Sequence, residues 1–137
     1  MSNVFATLGV ARSGMGVYKL WLDAVADNVA NIDNVGPTDA AAFQERFVVV
    51  APAEDAAGTG VGDGARVVAV AFGDPNGRVA YDPNNPMADE NGMVRRPDID
   101  LAEQMVYMQL AQRGYQANLA SFERAREAYE AALSIGR

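Results

Sequence analysis

Apolar residues recur at alternating steps of four and three at both ends of this chain, and nowhere between. The first series is Val4, Leu8, Ala11, Met15, Tyr18, Leu22, Val25, Val29 and Ile32. The second is Leu101, Met105, Met108, Gln112, Tyr115, Leu119, Phe122, Arg126, Tyr129 and Leu133. A repeat of ~3.5 residues holds one stripe of a helix against a partner, so each series predicts a helix made to lie along another helix. At ~1.5 Å per residue the first would run roughly 40 Å and the second roughly 50 Å, long enough to lie side by side. Two such helices at opposite ends of a 137-residue chain point to a structural or assembly protein and away from an enzyme.

The ends of both helices are marked. Asn31-Ile32-Asp33-Asn34-Val35-Gly36-Pro37 is a strong stop, because Asn and Gly accept the left-handed conformation and Pro cannot continue the ladder. Asp100 with Glu103 three residues on forms a capping-box-like start for the second helix, and Gly136 marks its end. Gly9, Gly14 and Gly16 each cost the first helix about 1 kcal/mol against Ala. They read either as local weakness or as places where a neighbouring helix comes close.

From Thr38 to Asp98 the helical period is lost. Phe47-Val48-Val49-Val50 within Phe43–Val50 is a β-branched run typical of a strand, and Arg66–Phe72 is a second. Ala53–Gly64, with Gly58, Gly60, Gly62 and Gly64, reads as a loop. Gly73-Asp74-Pro75-Asn76-Gly77 predicts a hairpin turn joining Arg66–Phe72 to Arg78–Tyr81. Asp82–Gly92 is extended and irregular, and Met93–Arg96 is a short strand. The expected fold class is α+β: two long terminal helices in an antiparallel coiled-coil-like hairpin, with a small central β-rich insert. The expected division is 1–36, 37–98 and 99–137, the two helices together making one domain.

Composition removes most chemistry. The chain has no Cys and no His, so it lacks thiolates and the commonest general base and metal ligand. No catalytic residue, cofactor or metal site is expected. The string Gly58–Gly64 lacks the Lys-Ser/Thr of a phosphate loop and opens a strand, not a helix. Asp74–Gly77 and Asp89–Gly92 supply too few oxygen ligands for a calcium loop and read as turns. The net charge, 11 − 18 = −7, gives no basic footprint for nucleic acid. No apolar run approaches the ~18 residues of a membrane helix, so membrane insertion is not expected, nor is a cleaved signal peptide.

The helix faces hold the signal that remains. One seam closes the hairpin on itself. Phe5 and Trp21 lie beside the first seam, and Val106, Leu110, Ala111, Ala117, Ala125, Ala128 and Ala132 widen the second. A lone hairpin would leave much of this wet, and exposed apolar patches mark contact surfaces. Gln112 and Arg126 are polar seam positions that set register, and Arg126 also suits a pair with Glu130.

Leu22–Asn34, with Asn28, Asn31 and Asn34, resembles the N-terminal signature of bacterial flagellar rod and hook proteins, Ala-Asn-Asn-Leu-Ala-Asn followed by Asn-Thr. It departs at Asp27, where Asn is usual, and at Val35, where Thr is usual. Glu103–Met108 leading to Ala111–Asn118 is similar to the matching C-terminal signature, whose Arg-x-Tyr-x-Ala-Asn core falls on Arg113, Tyr115, Ala117 and Asn118. Tyr81–Val94, with Pro83, Asn85, Pro86 and Gly92, is similar to a segment of the basal-body rod protein C family, a proximal-rod subunit. The resemblance covers nearly the whole chain and is thinnest over Thr38–Val50.

The resemblance implies a non-enzymatic axial role. The helices would pack around the axis of a tube through Leu8, Met15, Tyr18, Leu22, Val25, Val29, Ile32, Met105, Met108, Tyr115, Leu119, Phe122, Tyr129 and Leu133. Subunits would meet head to tail. The implied partners are further copies, other rod proteins, ring and hook-junction proteins, and the flagellar type III export apparatus. Export would occur without leader cleavage, to the basal body outside the cytoplasm. The alternatives are another rod subunit of the same axis, or a soluble helical-hairpin adapter.

Overall fold

The computed structural model describes residues 2–54 and 62–135. Helix α1 (Ser2–Ala30) and helix α2 (Leu101–Ile135) enclose in sequence the strands β1 (Arg46–Pro52), β2 (Ala65–Phe72), β3 (Arg78–Tyr81) and β4 (Met93–Arg96). The architecture is α+β, as expected. The helices run antiparallel: Phe5 meets Tyr129 near one end, and Asn28 meets Gln104 near the other.

The ends of α1 and α2 are built differently. Asp100 caps α2 as expected, its Oδ1 accepting from the backbone N–H groups of Ala102 at 2.7 Å and Glu103 at 3.2 Å. Glu103 turns instead to the hydroxyl of Tyr107, which donates to it at 2.5 Å. The C-terminus of α1 differs from expectation. No described non-glycine residue has a positive φ, and Gly36 does not either. The helix instead tightens into three-residue turns, with N–H groups of Asn31, Ile32 and Asn34 donating to the carbonyls of Asn28, Val29 and Asn31. The Asn31 amide donates back to the carbonyl of Asp27 at 2.8 Å. Gly36 then pairs with Arg95 in an isolated bridge. The expected end mark, Gly136, and Gly58–Val61 of the glycine loop lie outside the described residues.

The strands form two antiparallel pairs, β1–β2 and β3–β4. The expected β2–β3 hairpin is not formed. Val48 faces Val70 and Arg46 faces Phe72 across the first pair, and Arg78 faces Arg96 across the second. The cause lies in the turn. The N–H of Gly73 donates to the carbonyl of Glu45, lengthening the β1–β2 ladder, and the N–H of Ala42 donates to Pro75. Asp74 closes on the N–H of Asn76, and Gly77, at φ +54°, swings the chain onto the second sheet. A Cβ on Gly77 would meet the carbonyl oxygen of Arg96 at 2.1 Å.

The buried core is thin. Among the described residues it includes Ala11, Ala24 and Val25 of α1, Ala111 of α2, Val94 of β4 and Ile99 just after it, with Asn28, Gln104 and Pro97. On α1 no described member of the 4-8-11-15-18-22-25-29-32 series is exposed. On α2 the phase needs correction. Met108, Tyr115, Phe122 and Tyr129 face inward, but Met105, Leu119 and Leu133 are exposed, as are Leu101, Gln112 and Arg126. The inward partners are Gln104, Ala111, Asn118 and Ala125.

The physical reason is closeness. A Cβ on Gly14 would meet the Asn118 side-chain oxygen at 2.3 Å, and one on Gly114 would meet the Tyr18 ring at 2.3 Å. Helices this near accept small residues between them and expel large ones. Gly9 and Gly16 face open space. Only Gly14 of the three therefore serves close approach within the chain.

Candidate functional site

A polar junction joins three elements where α1 ends and α2 begins. Gln104 is 0 % exposed and Asn28 is 1 % exposed. The Asn28 amide donates to Gln104 Oε1 at 3.0 Å and to the carbonyl of Arg46 at 3.1 Å, and its oxygen accepts from the Arg46 N–H at 2.8 Å. Gln104 Nε2 donates to Glu45 Oε1 at 2.6 Å. The Arg46 guanidinium pairs with Asp27 and lies 5.5 Å from the ring centroid of Phe43. A buried amide must find partners, and here both amides do. Helix α1, helix α2 and the start of β1 are thereby fixed in one register.

The electrostatics of the junction are uneven. Burial pushes the Glu45 carboxyl above its ordinary range; the bond from Gln104 draws it back, and Glu103 and Asp98 push it up again. The hydrogen bond to Glu103 likewise raises the Tyr107 phenol. Above the junction the helices are joined by rings. Trp21 lies 6.1 Å from Tyr18 and 6.0 Å from Tyr107, and Phe5 meets Tyr129 edge-on at 5.2 Å.

The β3–β4 region is held by a second network. Asp89 accepts from the N–H groups of Asn91 at 2.8 Å and Met93 at 2.9 Å, and from the Thr38 hydroxyl at 3.0 Å. The bond from Met93, with those from Thr38 and Asn91, holds its carboxyl below the usual range. Both expected turns, at Asp74 and Asp89, spend their carboxylates on backbone N–H groups. Among the described residues no cluster of acids is arranged to hold a metal ion, and no helix is long and apolar enough to cross a membrane.

Outside these networks lie large apolar surfaces. The outer stripe of α2 exposes Leu101, Met105, Leu119 and Leu133, and Val106 and Leu110 are exposed further round the helix. The β1–β2 hairpin exposes Phe47, Val49, Val50, Val68, Val70 and Phe72. Between the hairpin and α1 runs an apolar groove of about 280 Å³, walled by Leu20, Ala24, Val48, Val67, Val70 and Phe72. The arrangement suits packing against other molecules.

Residues 90–135 match the family described as flagellar basal body rod FlgEFG protein C-terminal. The flagellar basal-body rod protein FlgC of Aquifex aeolicus is 34 % identical over 133 residues, 95 % of each chain. That of Salmonella typhimurium is 30 % identical over 135 residues, 98 % of this chain and 97 % of the relative. The chain belongs to the FlgC family. A further FlgC, from Borreliella burgdorferi, is 26 % identical over 148 residues, 97 % of each chain.

The residues singled out by resemblance to the rod proteins take distinct places in this FlgC-family fold. Asn28 is the centre of the polar junction and Asn31 closes the end of α1, while Asn34 is exposed. Asn118 lies against Gly14 and donates to the carbonyl of Gly114 at 2.8 Å; Tyr115 is half-buried; Arg113 and Ala117 face outward. Asn85, between Pro83 and Pro86, shapes the β3–β4 loop, accepting from the N–H of Met87 at 3.0 Å and donating to Asp82 at 3.1 Å. Gly92 sits at φ +74°, where a Cβ would press on Tyr81 at 2.9 Å and Pro83 at 3.0 Å. Sequence reasoning did not single out Gln104, Glu45 or Arg46. The signal for Gln104 was the series Gln104, Ala111, Asn118, Ala125, a seven-residue repeat of small and amide side chains that an apolar search passes over.

Proposed function

We propose that this chain is a structural subunit of the bacterial flagellar basal-body rod, placed in its proximal part. The observation that carries this reading is similarity to FlgC proteins along nearly the whole chain, at 30–34 % identity to two of them. The geometry supports it: one face of each helix is spent inside the subunit, and a second, apolar face of α2 is left for neighbours. The proposed partners are further copies, other rod proteins, the adjoining ring and hook-junction proteins, and the type III export apparatus. The proposed route is export without leader cleavage, to a rod outside the cytoplasmic membrane. The role is mechanical and needs no catalytic group.

Leu119→Asp tests this directly. Leu119 is exposed on the outer stripe, so the substitution spares the internal seam. The expected result is normal secretion with loss of swimming and of the chain from isolated basal bodies. Normal swimming overturns the assembly role of that stripe. The closed internal seam also favours a second reading, a self-contained adapter. A cooperatively melting monomer with protease-resistant helices, absent from basal bodies, would establish the adapter instead.

A further inference from the structure

One turn is written twice in the central part of the chain. Asp74-Pro75-Asn76-Gly77 and Asp89-Glu90-Asn91-Gly92 both read Asp-x-Asn-Gly. In each, the Asp carboxylate accepts from the backbone N–H of the Asn at 2.8 Å. In each, the Gly N–H donates to the Asp carbonyl, at 3.2 Å in the first and 2.9 Å in the second, and the Gly has a positive φ. Asn-Gly is the pair at which an asparagine side chain reacts most readily with its own backbone. The nitrogen of the following residue attacks the side-chain amide carbon, and glycine has no Cβ to obstruct it. Only these two of the nine asparagines precede glycine. Asn28, Asn31 and Asn34 precede or closely precede β-branched Val29, Ile32 and Val35, and Asn85 precedes Pro86, which has no N–H.

The two turns differ in what holds the asparagine. The Asn76 side-chain amide donates to Asp74 Oδ1 at 2.8 Å, and the Asn76 carbonyl accepts from the Arg95 guanidinium. The reacting side chain and the plane of the next peptide are thus both clamped. The guanidinium also draws electrons from that peptide, which alone would make the Gly77 N–H more acidic. A nitrogen that cannot turn toward the amide carbon gains nothing from this. In the second turn the Asp carboxylate is engaged elsewhere: Asp89 accepts from the Met93 N–H at 2.9 Å and from the Thr38 hydroxyl at 3.0 Å. Asn91 is exposed, and neither its side-chain amide nor its carbonyl has a hydrogen-bond partner among the described residues.

We propose that Asn91 is a site of spontaneous modification, cyclising onto Gly92 and ending as aspartate or isoaspartate, while the clamped Asn76 is spared. The Gly92 nitrogen bonds to the side-chain amide carbon of Asn91, the bond from that carbon to Nδ2 breaks, and ammonia leaves with the proton from the Gly92 N–H. Water then opens the cyclic imide at either carbonyl. Nothing is oxidised or reduced, and water is the one co-reactant. Either product adds a negative charge to a chain already at −7. Isoaspartate also routes the backbone through Cβ, lengthening it by one C–C bond, ~1.5 Å. Gly92 has no slack for this: it packs against Tyr81 and Pro83, and its carbonyl accepts from the Asp82 N–H at 2.9 Å. The change therefore falls on the clasp between the end of β3 and the start of β4. It follows from backbone chemistry and does not depend on the rod reading.

The test is to age the full-length chain in mildly alkaline buffer, folded and in urea, and to follow both turns by peptide mass. In the folded chain Asn91 is expected to convert at least fivefold faster than Asn76. In urea the two rates are expected to agree within twofold, because both sites are then Asn-Gly pairs in an open chain. Asp74→Ala, which frees the Asn76 amide, is expected to raise conversion at Asn76 at least threefold and to leave Asn91 unchanged. Equal rates in the folded chain overturn the assignment, and so does faster conversion at Asn76. A fivefold difference that persists in urea also overturns it, since the fold is then not its cause. The parent's two rates decide the matter whether or not Asp74→Ala folds. The isoaspartate product, isolated by its added charge, is expected to lose at least fivefold in amide-exchange protection across β3–β4; unchanged protection overturns the effect on the clasp.

Discussion

The two strand pairs of this molecule contrast sharply. β3–β4 is short, four residues a strand, and β3 exposes Val79 and Tyr81, yet β4 is firmly tied down. Val94 is 0 % exposed, Gly36 bridges to Arg95, and the Arg95 guanidinium donates to the carbonyl of Thr38 at 3.1 Å. Arg78 donates to the carbonyls of Pro97 at 3.2 Å and Ile99 at 3.4 Å. β1–β2 is longer, seven and eight residues, and carries six of the eight valines that lie in strands, but Phe72 remains 59 % exposed. Strand length and β propensity therefore do not measure how finished a sheet is. What finishes β3–β4 is burial and satisfied polar groups. What β1–β2 lacks is a cover.

The contrast is open to test. The largest effect is expected from Val94→Asp, which buries an unpaired carboxylate and should cost about 4 kcal/mol, read by denaturant unfolding. A loss no greater than that of a surface change would break the claim that this region is a core. Asn28→Ala, at the junction where β1 meets the helices, removes a partner from Gln104 and from both backbone groups of Arg46. It should cost about 3 kcal/mol, and Asn28→Asp should not restore it, because a carboxylate cannot donate to Gln104.

Glu45→Gln should raise the melting temperature slightly at neutral pH. The sign follows from its raised carboxyl. A group whose folded pKa lies above its unfolded value, here 4.5, contributes fully below that value and loses the contribution as pH rises through the folded pKa. Melting followed upward from below pH 4.5 should therefore fall less steeply in the variant than in the parent; identical slopes would remove Glu45 from the account. Asp89 titrates in the opposite sense. Its lowered carboxyl contributes above the ordinary value of 3.8 and loses that as pH falls. The smallest effect is expected from Val68→Asp on the exposed hairpin, within about 0.5 kcal/mol for the monomer. A large loss there would show that the hairpin is already covered.

Much of this is legible in the sequence. The cap at Asp100, the pairing of Arg126 with Glu130 at 3.5 Å and the approximate strand positions follow from periodicity and local chemistry. The α2 phase was not. Leu101, Met105, Leu119 and Leu133 make the stronger apolar repeat, but the close crossing at Gly14 and Gly114 selects Ala111 and Asn118 instead. Strand partners were not legible either, because the turn at Asp74–Gly77 has hairpin chemistry and its direction is set by contacts with Ala42 and Arg96. The polar junction depends on residues 76 positions apart, beyond the reach of any local pattern.

That junction has a mechanical consequence. Parallel stripes of aliphatic side chains offer little resistance to sliding, since one knob fills a hole about as well as the next. A single turn of slip, ~5.4 Å along the helix, would carry Asn28 away from Gln104 and Arg46 and strand several buried polar groups in a dry interface. An axial load on the subunit therefore meets a detent: the hairpin can bend or part from its neighbours before one helix creeps past the other.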